Sequence, residues 1–434
     1  MVNKLKKINF NFHNILTILS DLSNCLGFKI YLVGGVVRDL LLGEDIFDLD
    51  VVVEGDAIVF AQKVAQTHNK NFKRHHAFGT ATVYFDKQHI DFVTARRETY
   101  ASWGVLPRVE PATLREDLLR RDFTVNAMAV SLNKDDYGNL VDFYKGRIDL
   151  RKGLIRVLHK NSFLDDPTRI LRAIRFEQRF SFRIEARTLR WAKESISLGG
   201  LGLVSPHRLR DELVLVLKEK RPYRYIKRID QLGVFTFIHK KFKLTRSDLK
   251  LISNIEKTVS LYKKKFKKHR KLEEWLIYLT ALLIRLPHKD ISQFLESFGL
   301  KKGERIRILS IYKNIHRIKR LDSNLKPHMI YRLINPLSFE SILFFYAYYP
   351  QRRLRKNIEL FLDILVHMRL QVKGEDLKGL GCRPHSLYGK ILEKILYAKI
   401  DKGFMTKKEE IELARLFFEK LSKKVNQPIR LTPR

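Results

Sequence analysis

The hydrophobic periodicity of this chain changes character once, and that change limits its fold more than any other feature. The first third alternates short β-rich runs with helical stretches, whereas from about Ser162 onward the pattern is helical and strands almost disappear. Phe28–Val33 reads as a strand, followed by a glycine pair and a short helix ending at Gly43. Leu49–Val53 reads as a second strand and Ala57–Thr67 as a helix. Thr80–Phe85 and His89–Thr94 alternate in polarity on either side of Asp86-Lys87-Gln88, which predicts a hairpin. The polar stretch Arg96–Ala112, with Gly104, Pro107 and Pro111, reads as a mobile loop. The expected fold class is an α/β N-terminal part, a small mixed sheet with helices on one side, followed by an all-α remainder.

At 434 residues the chain should form more than one domain and bury a sizeable core without disulfides. Lys and Arg number 84 against 47 Asp and Glu, a net charge of +37, so a polyanionic partner is expected. Nucleic acid fits better than an anionic membrane, because no stretch approaches an apolar span of about 18 residues. The basic N-terminus resembles a signal n-region, but Asn14, Ser20, Asp21 and Ser23 break the apolar run behind it. That run reads instead as an amphipathic helix. Cys25 and Cys382 lie far apart without metal-ligand spacing, fit a reducing cytoplasm and read as packing residues. Basic charge gathers in runs such as Lys263–Lys271 and Arg352–Lys356.

Three motifs carry chemistry. Gly34-Gly35-Val36-Val37-Arg38-Asp39 sets a glycine pair at a strand-to-helix turn. Backbone N–H groups can approach a phosphate there, and the helix N-terminus favours negative charge. Arg38, one turn into that helix, can add a charged fork to a triphosphate. In Asp48-Leu49-Asp50 the strand period of two puts both carboxylates on one face. Two such acids repel unless a cation sits between them, and hard oxygen ligands suit Mg2+. Asp91, on a neighbouring predicted strand, is a candidate third carboxylate. The bland alternative is a Gly-rich turn with surface acids. Arg120-Arg121-Asp122-Phe123-Thr124-Val125-Asn126-Ala127, taken alone, reads as a solvated charge cluster at a helix end. In Asp165-Asp166-Pro167-Thr168-Arg169, which runs on to Phe176, Asp165 and Pro167 mark a helix start. Asp166, Arg169, Arg172 and Arg175 recur every third residue as a stripe. Such a stripe is either an exposed face with i,i+3 ion pairing or a surface suited to a nucleotide.

In order and spacing, the three motifs from about Tyr31 to Phe176 resemble the class II tRNA nucleotidyltransferase and bacterial poly(A) polymerase family. A looser similarity follows in Ser205-Pro206-His207-Arg208-Leu209-Arg210-Asp211-Glu212-Leu213, and in Gly374-Glu375-Asp376-Leu377 through Leu380-Gly381, Pro384 and Gly389. The resemblance implies a nucleotidyltransferase catalytic head over 11–150, a helical neck with a nucleotide-reading helix over 151–220, a helical body over 221–345 and a basic, tRNA-binding helical tail over 346–434. It implies Asp48 and Asp50 as metal-holding catalytic residues, with Asp91 at a third position that varies between members. Gly34, Gly35 and Arg38 would contact the triphosphate. Arg121, Asp122, Asn126, Asp166, Arg169, Arg172 and Arg175 would surround or read the nucleotide.

The activity so implied is template-independent addition of CCA, or part of it, to tRNA 3′ ends from CTP and ATP, with Mg2+ as cofactor. The RNA 3′-hydroxyl would attack the α-phosphate in line and release pyrophosphate. Cytosine and adenine both present an amine donor beside a ring-nitrogen acceptor, whereas uracil reverses the order and guanine differs. Asp166 accepting from the amine and Arg169 donating to the ring nitrogen would therefore favour C and A. The helical remainder would grip the tRNA acceptor arm through phosphates and shape. A cytoplasmic enzyme is expected, with no membrane association and no obligate protein partner. The alternatives are an A-adding-only member, a bacterial poly(A) polymerase and a non-catalytic RNA-binding protein. The loop Thr94–Leu114 is not truncated, which disfavours a CC-only enzyme, and the paired acids argue against a non-catalytic copy.

Overall fold

The computed structural model describes residues 5, 10–46, 48–76, 79–85, 88–238, 242–265, 272–380 and 387–425. The chain divides into two compact units, Met1–Lys243 and Leu244–Arg434.

Strands belong to the first unit: β1 (Lys29–Val33), β2 (Leu49–Glu54), β3 (Phe72–His75), β4 (Thr80–Phe85), β5 (Gln88–Thr94), β6 (Arg96–Thr99), β7 (Arg108–Pro111), β8 (Ala129–Ser131) and β9 (Leu140–Val141), with a short pair at Leu154–Ile155 and Arg183–Ile184. Seven form one mixed sheet in the order β3-β4-β5-β2-β1-β8-β9. β2 and β5 run parallel with Asp50 level with Asp91, while β1 pairs antiparallel with both β2 and β8. Ile30, Leu32 and Val51–Val53 are fully buried, as a central strand rich in β-branched side chains requires. The hairpin is present, with β5 starting at Gln88, while Asp86 and Lys87 lie outside the described residues.

The helices of this unit are α1 (Phe10–Leu26), α2 (Gly35–Leu42), α3 (Ala57–Thr67), α4 (Leu114–Leu119), α5 (Gly146–Lys152), α6 (Ser162–Asp165), α7 (Arg169–Arg179), α8 (Ala186–Ser197), α9 (Pro206–Leu217) and α10 (Pro222–Gln231). Asp56 caps α3 by accepting from the N–H groups of Ile58 and Val59. Ala57, Phe60, Ala61, Val64 and Ala65 then give α3 one buried face, and Phe60 meets Phe28 and Phe92 edge-on. Burying a side chain of that size contributes roughly 1.5–3 kcal/mol. On α1 the buried face is Leu16, Leu19, Ser20 and Ser23. Cys25 falls off that face and is exposed, so it is not the packing residue expected, and Cys382 lies outside the described residues.

Arg96–Ala112 is not an irregular loop. β6 and β7 pair into an antiparallel ribbon in which Arg97 stands opposite Glu110 and binds it at 2.7 Å. The backbone ladder, crossed by this exposed ion pair, forms without the apolar alternation that marks a strand in sequence.

The second unit contains α11 (Arg246–Lys265), α12 (Glu274–Leu283), α13 (His288–Ser297), α14 (Lys302–Ile318), α15 (Pro327–Ile334), α16 (Phe339–Tyr348), α17 (Arg352–Asp363), α18 (Gly374–Gly379), α19 (Tyr388–Lys402) and α20 (Lys407–Val425). Residues Trp275–Leu283 of α12 are buried all round, which its uninterrupted apolar sequence anticipates. Of the basic run at Lys263–Lys271, Lys263 pairs with Glu274 and Lys265 with Asp363, both at 2.6 Å, while 266–271 lie outside the described residues. Lys399 and Glu410 form a buried pair at 2.6 Å between α19 and α20. The second Glu410 oxygen accepts from the backbone N–H groups of Gln371 and Val372.

Candidate active site

β1 ends at Val33 and the chain turns at Gly34, with φ 77° and ψ −133°, a combination that L side chains avoid. A Cβ on Gly34 would stand 2.8 Å from Arg121 Nη1 and 3.9 Å from Asp50 Oδ2. The missing side chain therefore lets the Arg121 guanidinium lie against the turn, beside the acid on β2. Arg38 on α2 is buried: Nη1 donates to Asn126 Oδ1 at 2.6 Å, and Nε and Nη2 donate to the two oxygens of Asp39. Its guanidinium also lies 5.1 and 4.8 Å from the Phe176 and Phe180 ring centroids.

Asp48 precedes β2 with a side chain 73% exposed, whereas Asp50 lies on the strand and is half-buried. Burial pushes the Asp50 carboxyl up, the Arg121 guanidinium opposes that, and the negative charges of Asp91 and Asp48 add to the rise. Asp91 accepts from Thr82 Oγ1 at 2.5 Å. His89 Nε2 stands 3.9 Å from Asp48 Oδ1 and 3.8 Å from Asp91 Oδ2. Among the described residues, no three His, Cys, Asp or Glu side chains converge closely enough to hold a metal ion by themselves.

The Arg120–Ala127 motif is not a solvated cluster. Asp122 is buried and accepts from Phe123 N, Asn126 Nδ2 and both Nε and Nη2 of Arg172. Burial pushes its carboxyl up, but Arg172 and its hydrogen bonds outweigh that and hold it below the usual carboxylate range. Asp117, fully buried one turn earlier, is lowered in the same way by Arg121 and Arg120. Its oxygens bind Arg121 Nη2 at 2.9 Å and Arg120 Nη2 at 2.7 Å.

Asp166 does not lie on the helix that carries the arginines. It occupies the turn between α6 and α7, and α7 starts at Arg169. Pro167 follows it at once, and the residue before a proline is steered away from helical backbone. Asp166 Oδ1 accepts from Thr168 N and Oγ1, and Oδ2 pairs with Arg208 Nη2 at 2.7 Å. Arg169 is 6% exposed and donates to Ser162 Oγ and to the backbone carbonyl of Arg120. Arg172 is clamped between Asp122 and Glu212, which hold it charged despite burial. Arg175 lies between Glu212 and Glu219 on one hand and Arg172 and Arg179 on the other, and burial is the main influence that lowers its guanidinium from the ordinary range. The Nε atoms of Arg121 and Arg175 are buried without a hydrogen-bond partner.

These groups enclose a cavity of about 730 Å³. Its wall includes Gly34, Gly35, Arg38, Asp48, Asp50, Arg121, Asp122, Asn126, Asp166, Arg169, Arg172 and Arg175, together with Leu106 and Pro107 of the ribbon tip. Asp91 is level with Asp50 but is not part of that wall. A second cavity of about 780 Å³ shares Gly35, Arg38 and the acid pair, and continues to Lys218, Lys220 and Arg224. The residues that sequence reasoning gave no site role are Asp117, His89, Glu98, which binds Arg96 and Arg120, and Arg208 and Glu212, both within the Ser205–Leu213 segment. The strand period of two sets His89 on the same face as Asp91, a signal that was available. Asp117 stands three and four residues before Arg120 and Arg121, a helical ion-pair spacing that was also legible, whereas Glu98, Arg208 and Glu212 meet their partners from distant elements.

Known proteins resemble this chain in sequence and in fold. The profile described as "Poly A polymerase head domain" matches residues 30–156, and that described as "Probable RNA and SrmB- binding site of polymerase A" matches 181–244. The A-adding tRNA nucleotidyltransferase of Halalkalibacterium halodurans is 32% identical, over 92% of this chain and 91% of its own length. The chain belongs to the tRNA nucleotidyltransferase family. Within that family, the A-adding tRNA nucleotidyltransferase of Geobacter sulfurreducens is 34% identical over 91% of this chain, which spans only 46% of that longer relative. The solved Thermotoga maritima CCA-adding enzyme complexed with tRNA superposes with a TM-score of 0.77 at 32% identity, over 96% of this chain and 98% of that one. Among the described residues, no helix is long and apolar enough to cross a membrane.

Proposed function

We propose that this chain adds nucleotides of the terminal CCA to tRNA from CTP and ATP, in the cytoplasm and without a template. The observation that carries this reading is the single cavity joining the acid pair Asp48 and Asp50 to the Asp166–Arg169 pair. Nucleotidyl transfer in this family implies a divalent cation, and we take it to be Mg2+. Mg2+ is commonly held by one or two carboxylates, with substrate phosphates and water completing its shell, so two acids suffice here without a third protein ligand. When bound, it supplies charge that activates the RNA 3′-hydroxyl and steadies the departing pyrophosphate. Asp48 and Asp50 would hold it, with Asp91 supporting from the next strand. The N–H groups at Gly34 and Gly35 and the guanidinium groups of Arg121 and Arg175 would meet the triphosphate. Arg38 and Asn126, already bound to one another, would shape that wall. Asp122 would serve through Arg172, keeping α7 in place. Asp166 would accept from the amine of C or A, and Arg169 would donate to the ring nitrogen.

The division into head, neck, body and tail would set a catalytic part over 11–150 and an RNA-gripping remainder, with the net charge of +37 supplying the attraction to tRNA. An A-adding-only enzyme is the second reading, favoured by the name of the two relatives above that align over most of this chain. Incubating the protein with tRNAs ending before C74, after C75 and complete, each with CTP, ATP or both, separates the readings. Extension of all shortened tRNAs gives full CCA addition, and extension only after C75 gives A addition. Continued growth of the complete tRNA gives poly(A) synthesis, and no extension of any substrate refutes the enzyme.

A further inference from the structure

We infer that Arg208 is a specificity-determining positioning residue that ties the direction of the Asp166 carboxylate to the seating of the ribbon tip. The inference rests on the proposed reading of Asp166 as the acceptor for the base amine.

A carboxylate offers about four acceptor positions. On Asp166 the Thr168 N–H and hydroxyl take two on Oδ1, at 3.1 and 2.6 Å, and Arg208 Nη2 takes one on Oδ2 at 2.7 Å. One position on Oδ2 remains for a ligand, and Arg208 fixes where it points. The two side chains are 29% and 16% exposed and both line the cavity, so the pair belongs to the wall of the nucleotide site rather than to the outer surface.

Arg208 has a second attachment. Its Nη1 donates to the Gly104 carbonyl at 3.4 Å, at the tip that joins β6 to β7. Gly104 N donates in turn to Leu164 O at 3.2 Å, two residues before Asp166. Gly104 has φ 74°, and a Cβ there would stand 3.0 Å from the backbone of Leu203. A tip so closely seated cannot move without withdrawing the carbonyl that Arg208 reaches. Ribbon position and carboxylate direction thus form one mechanical unit, with Arg208 as the link between them.

The test measures kcat/KM for all four nucleoside triphosphates, with tRNA lacking its CCA and tRNA lacking only its last residue. The proteins are the full chain, Arg208→Gln, Arg208→Lys, Gly104→Ala, the Arg208→Gln/Gly104→Ala double variant and Asp166→Ala. Arg208→Gln should lower the preference for ATP and CTP over UTP by roughly tenfold, the weight of one charge-assisted hydrogen bond. Arg208→Lys should restore part of that preference, which loss of packing alone would not predict. Gly104→Ala should shift the ratios in the same direction, and the double variant should be no worse than Arg208→Gln, since both break one link. If Asp166→Ala shifts the ratios while Arg208→Gln does not, the role of Arg208 is refuted and the reading of Asp166 stands. Additive effects in the double variant refute the tie to the ribbon. Unchanged ratios in Asp166→Ala refute the base-reading role itself, and this inference falls with it.

Discussion

Gly34→Ala offers the most direct measure of how the site is built. At φ 77° and ψ −133° the new side chain enters a backbone region that costs about 1–3 kcal/mol for a residue other than glycine. The Cβ would also stand 2.8 Å from Arg121 Nη1, so the guanidinium must move. That movement endangers its 2.9 Å bond to the fully buried Asp117, a charge-assisted interaction worth roughly 1.5–3 kcal/mol. Together the two effects reach ~2.5–6 kcal/mol, a large part of the stability of an ordinary domain. Gly43→Ala is the control, since Gly43 has a similar φ of 80° but open space around its Cβ position. Strain alone there should cost about 1–2 kcal/mol. Urea unfolding followed by far-UV circular dichroism compares the two, and Arg121→Ala supplies the third background. In that background the excess of Gly34→Ala over Gly43→Ala should fall to the difference in backbone strain between ψ −133° and ψ 22°, because no guanidinium remains to be displaced. Equal costs for the two glycines in the wild-type background would refute the packing argument.

Asp48→Ala and Asp50→Ala should each slow nucleotide addition by about a thousandfold or more while leaving tRNA affinity nearly unchanged, and single-turnover rates beside filter binding would check both. Near wild-type turnover in either variant removes it from the catalytic set. Stability should depend on pH through Asp117 and Asp122, whose carboxyls are held below their ordinary range in the folded protein. A lowered folded-state pKa means that their contribution is present above about pH 4–5 and is lost as pH falls through the folded value, so unfolding free energy should drop on acidification. Asp122→Asn should flatten that slope, and an unchanged slope would show that the pair with Arg172 is not its source. Affinity for tRNA should fall ~10³-fold or more between low and moderate salt if several phosphates are neutralised, and a flat salt profile would overturn the electrostatic account.

Sequence carried the acid pair, the glycine turn and the arginine-bearing helix because each depends on local pattern: a period of two along a strand, a turn at a strand end, or a helical repeat. The same logic failed for Asp166, where a recurrence every third residue suggested a continuous helical stripe. The proline after it holds Asp166 in a turn, and α7 begins three residues later. It failed again at β6 and β7, which face each other with charged residues such as Arg97 and Glu110 and lack apolar alternation. Partners such as Glu98 and Glu212 carry no local signature, because their meaning comes from distant residues that pack against them. Buried charge read from sequence as solvated charge is the common error, and it follows from counting residues without their partners.

A base read by side chains needs those side chains fixed before it arrives, since ordering a free long side chain costs up to about 2 kcal/mol each. Much of that ordering traces to one helix of six residues, α4. Its start is pinned by the Thr113–Glu116 capping box and by Glu54 of β2, whose Oε1 accepts from Leu114 N at 2.6 Å. From its middle, Asp117 holds Arg121 against Gly34, beside Asp50. From just past its end, the carbonyl of Arg120 holds Arg169, whose other terminal nitrogen is tied to Ser162. A displacement of α4 would therefore move the arginine beside the acid pair and the arginine beside Asp166 together. Glu54 sits on the same strand as Asp50, so β2 sets the position of α4 as well as that of the acid. Under the proposed reading, that short path through the sheet would keep chemistry at the phosphate and contact at the base edge in register.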